Sequence, residues 1–291
     1  SRIDGTGGQK HGGGTGIWQG NGSPIIRPPL DLDSQKENPV MQMLALLGQW
    51  MHFCLSLAKS ARSNPRILED CITQLYKTLA GAIPLVAVAG LATGIVVWLH
   101  LRGLLVSVAG PSSVSLLPQA LSLAVVVELA PLTAALILAG RSGSSLAAEL
   151  ASMKQSEQID ALQAMGVNPM GKLVFPRVIA CTLALPMLTI FTAYLSLLSG
   201  YLTESITGTM AWSEYYHQVI KVLKYRDAVP AVTKTIFFGV GIGTLACFHG
   251  LNAGEGTEGV GRAATRGVVG SIFFVLVSNV FLVKLIHLLF D

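Results

Sequence analysis

A chain of 291 residues that is 51% hydrophobic and only 12% charged falls well below the roughly 25% charged residues of ordinary globular domains. Its mean hydropathy of +0.58 argues against a water-soluble globule and for a bilayer protein. A net charge of +4 is too mild to indicate a nucleic-acid partner, and its distribution says more than its total.

Residues 1–39 are rich in Gly, Pro, Ser and Asp and have no apolar run of the kind a secretory signal needs. They are expected to form a disordered tail or linker. The chain opens on Ser rather than Met, so a processed or truncated product with a preceding domain missing is the expectation. Residues 40–62 are apolar apart from one narrow stripe of Gln42, Gln49, His52, Ser56 and Lys59. That pattern fits a helix lying in the membrane interface, anchored by Trp50 and Lys59. The segment is also long enough to span.

A membrane helix needs about 20 mostly apolar residues. Five runs satisfy this: 79–101, 116–140, 173–203, 229–250 and 267–290. Small residues crowd the first (Gly81, Ala82, Ala87, Ala89, Gly90, Ala92, Gly94) and alternate in the fourth (Gly239, Gly241, Gly243). They let helix backbones approach closely. If five spans alternate, Lys59, Arg62, Arg66, Lys77, Arg141, Lys154, Lys172, Arg177, Arg262 and Arg266 share one side. The other side holds Arg102, Lys221, Lys224, Arg226 and Lys234. The richer side is expected to be cytoplasmic. Residues 204–228, with Trp212, Tyr215 and Tyr216, then form an external loop containing a short amphipathic helix.

Charges within the spans are few. Glu128 lies mid-span in VVVELAP. A carboxylate there is costly, so it is expected to face the bundle interior or a wet cavity, in a functional role or a structural polar contact. Lys234 and Lys284 lie nearer span ends and are expected to snorkel. The cysteines Cys54, Cys71, Cys181 and Cys247 form no CxxC pair and read as small buried hydrophobes. The six scattered histidines give no metal site. No GxxxxGK[ST] phosphate loop, GxSxG elbow or HExxH is present, and GEGTEGVGR at 254–262 reads as a loop rather than a nucleotide cradle. No catalytic residue or metal ligand is assigned, and no cofactor is expected in this chain.

Between the second and third apolar runs lies AAELASMKQSEQIDALQAMG, 147–166. Ala147, Leu150, Ala151, Met153, Ile159, Leu162, Met165 and Val167 recur near helical spacing, with Glu149, Lys154, Gln155, Glu157, Gln158 and Asp160 on polar faces. Ser156 suits a helix start. Gly166, followed by Pro169, gives a stop signal. One or two short helices are expected. They read as either a solvated connector or a docking element for a cytoplasmic partner.

Residues 128–180 closely resemble the MlaE/YrbE family of ABC-transporter permeases. The matching motifs are Glu128 and Pro131; Ala139, Gly140, Arg141 and Gly143; Ala148, Glu149, Leu150 and Met153; Glu157 to Leu162; Met165, Gly166, Val167 and Pro169; and Pro176 with Arg177. A second match is EGVGRAATRGVV, 258–269. Family members often carry Arg directly before the Glu of the second span, where this chain has Val127, which leaves Glu128 alone.

The resemblance implies an all-α integral membrane protein with an N-terminal interfacial helix and five transmembrane helices, in a permease domain covering 40–291. It implies a homodimer in the bacterial inner membrane. A partner ABC ATPase would bind ATP and Mg and dock on the coupling segment, 144–168. The expected coupling residues are Glu149, Met153, Lys154, Glu157, Gln158, Asp160, Leu162 and Met165. Phospholipid would occupy a cavity near Glu128, Leu129, Leu132 and Leu136. A periplasmic MCE-domain protein and a small STAS-domain protein complete the implied assembly. The alternatives are a self-sufficient carrier or channel for a hydrophobic substrate, and a non-transporting membrane scaffold.

Overall fold

The computed structural model describes residues 17–18, 24–26, 39–60, 67–207, 210–223 and 225–290. Most of the expected tail over 1–39 lies outside them. Two compact units divide the chain, 1–56 and 57–291. In the first, strand β1 (Ile17–Trp18) pairs antiparallel with β2 (Pro24–Ile26), and helix α1 begins at Pro39 and runs to Ser60. The rest of the described chain is helical.

The second unit begins with α2, Ile67–Ala109, which carries the first apolar run and extends past both of its ends. The second span is one helical path in several registers. A 3₁₀ turn (Pro111–Leu116) leads into α3 (Leu117–Ala124), a π turn (Val125–Leu129), α4 (Ala130–Leu138), a second π turn (Ala139–Gly143) and α5 (Ser144–Gln155). The short α6 (Gln158–Ala164) follows. A third π turn (Met170–Val174) opens α7 (Phe175–Thr207). Then come α8 (Trp212–Val222), α9 (Tyr225–Leu251) and α10 (Gly256–Phe290). Five helical stretches are long and apolar enough to cross a membrane: Leu68–Ala109, Ser113–Gln155, Met170–Ile206, Val229–Leu251 and Gly256–Ile286.

Two of the π turns have the same chemical cause. Proline has no N–H and its ring crowds the carbonyl four residues back. Pro131 therefore cannot donate to the Val127 carbonyl, and the Ala130 N–H reaches back to Val125 O. Pro176 stands in the same relation to Lys172, and the Phe175 N–H donates to Met170 O. Each proline widens the turn just before it. The first of these widened turns carries Glu128.

All five spans meet in one core. Ala82 and Val86 of α2, Ala134, Ala135 and Leu138 of α4, Leu185 and Leu188 of α7, Phe238 and Ile242 of α9 and Val275 of α10 are buried together. Cys181 belongs to this core, and Cys247 is also buried. A second core, around Trp98, Leu117, Leu121, Val125, Tyr215 and Val219, joins the spans to α8.

In a bilayer, helices associate through close van der Waals packing and polar contacts rather than through exclusion of water. The alternating glycines of α9 show how specific that packing is. A Cβ on Gly239 would fall 2.7 Å from Thr182 Cα and 2.8 Å from Cys181 O, both backbone atoms of α7. The atoms nearest a Cβ on Gly241 all belong to the Phe274 ring of α10, a side chain that can rotate. Gly239→Ala is expected to cost about 1–3 kcal/mol through overpacking. Gly241→Ala should be close to neutral, because the better helix propensity of Ala (about 1 kcal/mol) offsets the ring's adjustment. Thermal unfolding of the two detergent-solubilised variants checks the contrast.

Candidate functional site

The mid-span carboxylate has a partner. Glu128 Oε1 accepts a hydrogen bond from Lys234 Nζ at 2.6 Å, and the two form an ion pair. Lys234 comes from α9, and its side chain is only 2% exposed against 38% for Glu128. Asn279 of α10 points its Nδ2 at the other carboxylate oxygen, at 3.5 Å. Three separate helical paths thus converge on one acid. This corrects the expectation that Lys234 snorkels toward a span end. Lys284 is exposed. It also changes the reading of Val127: Glu128 is not left alone, because a cation reaches it from another helix.

The leucines assigned with Glu128 divide between the two cores. Leu132 and Leu136 are half-buried against the five-span core, while Leu129 packs against the core around Trp98 and Tyr215. Glu128 sits at the junction, its carboxylate partly exposed and its charge neutralised from behind by Lys234.

The polar segment after the second span is not an independent helix at its start. The helix that crosses the membrane continues without a break to Gln155. There the chain reverses at Glu157, whose φ of 57° places it in the left-handed region. Ser156 does not cap α6. Its Oγ donates back to Ser152 O at 2.9 Å within the last turn of α5, and α6 has no side-chain cap at its N-terminus. A serine directly after the last helical residue can satisfy either helix, and the backbone reversal at Glu157 settles it in favour of α5. The stop is as the sequence suggests: Gly166 has φ 75°, and the Gly166 and Val167 N–H groups donate to Gln163 O and Leu162 O. Asn168 Oδ1 then accepts the Met170 N–H at 3.0 Å and opens the next helical path.

The expected coupling residues fall into two sets. Glu149, Met153 and Lys154 are bound within the chain. Arg177 of α7, 3% exposed, donates to Glu149 Oε1 at 2.9 Å and to Leu173 O at 3.0 Å, and its Nη2 lies 3.7 Å from Met153 Sδ. Lys154 Nζ donates to Ala253 O at 2.9 Å. Its neighbour Gln155, absent from the expected set, donates to Gly254 O and accepts the Gly256 N–H at 3.0 Å. The end of α5 is therefore clamped to α7 on one side and to the α9–α10 turn on the other. Lys172 and Asp70 add an ion pair of 2.6 Å between the α7 path and the start of α2.

The second set lies on α6. Ile159 is buried, Leu162 is half-buried, and Glu157, Gln158, Asp160 and Met165 are exposed. Beside the clamp, Glu258, Gly261, Arg262, Thr265 and Arg266 of α10 line an open groove of about 420 Å³. The Arg262–Glu258 pair there is highly exposed and contributes little to stability. This end of the bundle thus presents α6 and a basic stretch of α10 to a common surface. Arg177 and Lys234, two of the cations expected in loops on opposite sides, are both buried in the bundle. Removing one from each side leaves the asymmetry in place.

Residues 71–285 match the family model of Permease MlaE. That range holds Glu128, Lys234, Arg177, α5 and α6.

The chain belongs to the MlaE permease family.

Among its relatives, a probable ABC transporter permease protein of Rickettsia felis is 31% identical over 239 residues, covering 82% of this chain and 91% of that protein. The probable ABC transporter permease protein RT0041 of Rickettsia typhi is 37% identical over 159 residues, covering 55% of this chain and 61% of that protein. Protein TRIGALACTOSYLDIACYLGLYCEROL 1, chloroplastic, of Arabidopsis thaliana is 29% identical over 263 residues, covering 90% of this chain and 67% of that protein. This MlaE permease is accordingly an ABC transporter permease and a multi-pass membrane protein. Among the described residues no cluster of His, Cys, Asp and Glu is arranged to hold a metal ion.

Proposed function

We propose that this permease passes phospholipid, or a related lipid, between the bacterial inner membrane and a periplasmic MCE-domain shuttle, driven by a partner ABC ATPase, and so maintains the lipid asymmetry of the outer membrane. A second copy completes the transport path as a homodimer, the ATPase supplies the ATP and Mg site, and a STAS-domain protein associates with it. The observation that carries the reading is mechanical. The second span runs as one helical path into α5, α5 is clamped to α7 and to the α9–α10 turn, and α6 hangs beyond the clamp with Glu157, Gln158, Asp160 and Met165 exposed. A subunit that pushes on α6 moves the second and third spans together. The lipid assignment is supported by the Arabidopsis relative, whose name is that of a galactolipid. An amphipathic substrate suits a largely apolar surface with few polar groups, and the half-exposed Glu128 beside Leu132 and Leu136 has that character.

In the double variant Glu157→Lys with Asp160→Lys, the charge of the α6 surface is reversed while every hydrogen-bonding group of the clamp is kept. The permease should fold and keep its unfolding temperature, yet lose at least tenfold in ATPase association and in ATP-dependent lipid transfer. Wild-type association and transfer in this variant would remove the docking role of α6.

A further inference from the structure

The helix at the opposite end of the bundle from α6 has a face that the transport reading leaves unused. α8 joins two spans through short connectors: α7 ends at Thr207 and α8 starts at Trp212, and α8 ends at Val222 and α9 starts at Tyr225. A helix tethered so closely at both ends lies at the membrane boundary. Its rotation about its own axis is also fixed. Tyr215 Oη donates to Leu197 O of α7 at 3.0 Å, Gln119 Nε2 of α3 donates to Gln218 Oε1 at 3.1 Å, and Trp212 packs edge-on against Tyr201 with ring centroids 4.5 Å apart. Burial, and then the neighbouring Glu204 carboxylate, push the Tyr215 phenol up from its usual pKa, which keeps it a donor.

With that rotation fixed, the apolar side of α8 is wider than its seat. Tyr215 and Val219 are buried in the bundle. Trp212, Tyr216 and Ile220, recurring at every fourth residue on the adjoining arc, are exposed at 48%, 55% and 52%. On the remaining arc, Ser213, Glu214, His217, Gln218 and Lys221 line an open polar cavity of about 440 Å³ together with Gln119. A helix with an apolar arc broader than its protein contact and a strictly polar remainder is built for two further surroundings at once.

We propose that the Trp212–Tyr216–Ile220 face of α8 is covered by lipid at the headgroup level of the bilayer, with the Ser213–His217–Lys221 face turned to water. The residue types fit that depth, because Trp and Tyr rings place an apolar body in the acyl region and a polar edge among the headgroups. The spans joined by α8 carry exposed apolar residues toward this end of the bundle, Leu202 and Ile206 of α7 and Val229 of α9. The lipid-facing surface of the bundle therefore runs on to α8 rather than stopping short of it. Lys221 on the polar arc supplies a cation where lipid phosphates lie. This inference rests on the spans alone and holds whichever lipid the permease carries.

Site-directed nitroxides test it in nanodiscs of phosphatidylethanolamine and phosphatidylglycerol. Labels are placed singly at Ile220→Cys and Lys221→Cys on a Cys54→Ser background; Cys71, Cys181 and Cys247 are buried. The Ile220 label should be relaxed several-fold more by oxygen, which concentrates in the bilayer, than by an aqueous nickel chelate. The adjacent Lys221 label should show the reverse. Equal exposure of both labels to the chelate would overturn the proposal. So would an Ile220 label shielded from both relaxants, the mark of a second copy or a partner protein on that face. Tryptophan quenching by lipids brominated high on the acyl chain gives an independent readout that needs no label. Wild type should be quenched to a greater extent than Trp212→Phe, and equal fractions would count against lipid contact.

Discussion

Glu128→Ala should destabilise the permease considerably more than Lys234→Met. The two variants remove opposite halves of one ion pair, but they leave different charges behind. Without Glu128, an ammonium group whose side chain is 2% exposed stays in the bundle interior with its carboxylate gone. Breaking a buried pair in this way costs about 3–5 kcal/mol. Without Lys234, the charge left is a carboxylate that is 38% exposed. It keeps Asn279 within 3.5 Å and, unlike the ammonium, is not enclosed by protein on every side. Its loss should be the smaller of the two, because no enclosed charge is left without its partner. The exchange Glu128→Lys with Lys234→Glu restores opposite charges across α9 and the widened turn before Pro131, and should recover more than half of the Glu128→Ala loss. Thermal unfolding in detergent reads all three. Equal losses for the two single variants would contradict this asymmetry between the two halves of the pair.

Glu149→Gln is the second large expected effect, and it separates structural residues from docking residues within one motif. Arg177 divides its guanidinium between the Leu173 carbonyl and the Glu149 carboxylate. Neutralising the acid removes a charge-assisted hydrogen bond from a nearly buried cation, a loss of about 1.5–3 kcal/mol. That loss should appear in the isolated permease with no ATPase present. Arg177→Lys should not be tolerated either, because a single ammonium cannot reproduce the fork that holds both acceptors. Charge reversal at Glu157 and Asp160 predicts the opposite pattern: an unchanged unfolding temperature and lost association. If Glu149→Gln left the unfolding temperature unchanged and weakened only ATPase binding, Glu149 would belong to the docking surface after all.

Much of this architecture is legible in the sequence. The five apolar runs are long, nearly free of charge and separated by polar stretches, so hydropathy locates them along the chain. Gly166 and Pro169 mark where α6 stops, because a left-handed residue and a residue without an N–H leave few alternatives. What hydropathy does not encode is the direction in which a side chain leaves its helix. Lys234, placed near a span end, reads as a snorkelling lysine until α9 is known to start at Tyr225 and to turn that residue inward. One signal was available: an apolar bundle holding a single mid-span acid requires a cation, and Lys234 was one of two lysines within reach of a span. The clamp of Gln155 onto Gly254 and Gly256 was not legible, since it joins residues far apart in sequence through backbone groups. Ser156 was misread because a serine between two helices can serve either one. The continuity of the second span with α5 was hidden by the polar composition of α5, which ends the hydropathy signal but not the helix.

The central claim is that this chain moves lipid only when a partner ATPase works through α6. It is tested most directly by reconstituting the permease with its ABC ATPase in liposomes and following the transfer of a fluorescent phospholipid to an acceptor MCE-domain protein. Transfer should require ATP, the ATPase and an intact α6, and should fall to background when any one is withheld. Transfer at the same rate by the permease alone, without ATPase or nucleotide, would contradict the account and identify a self-sufficient carrier.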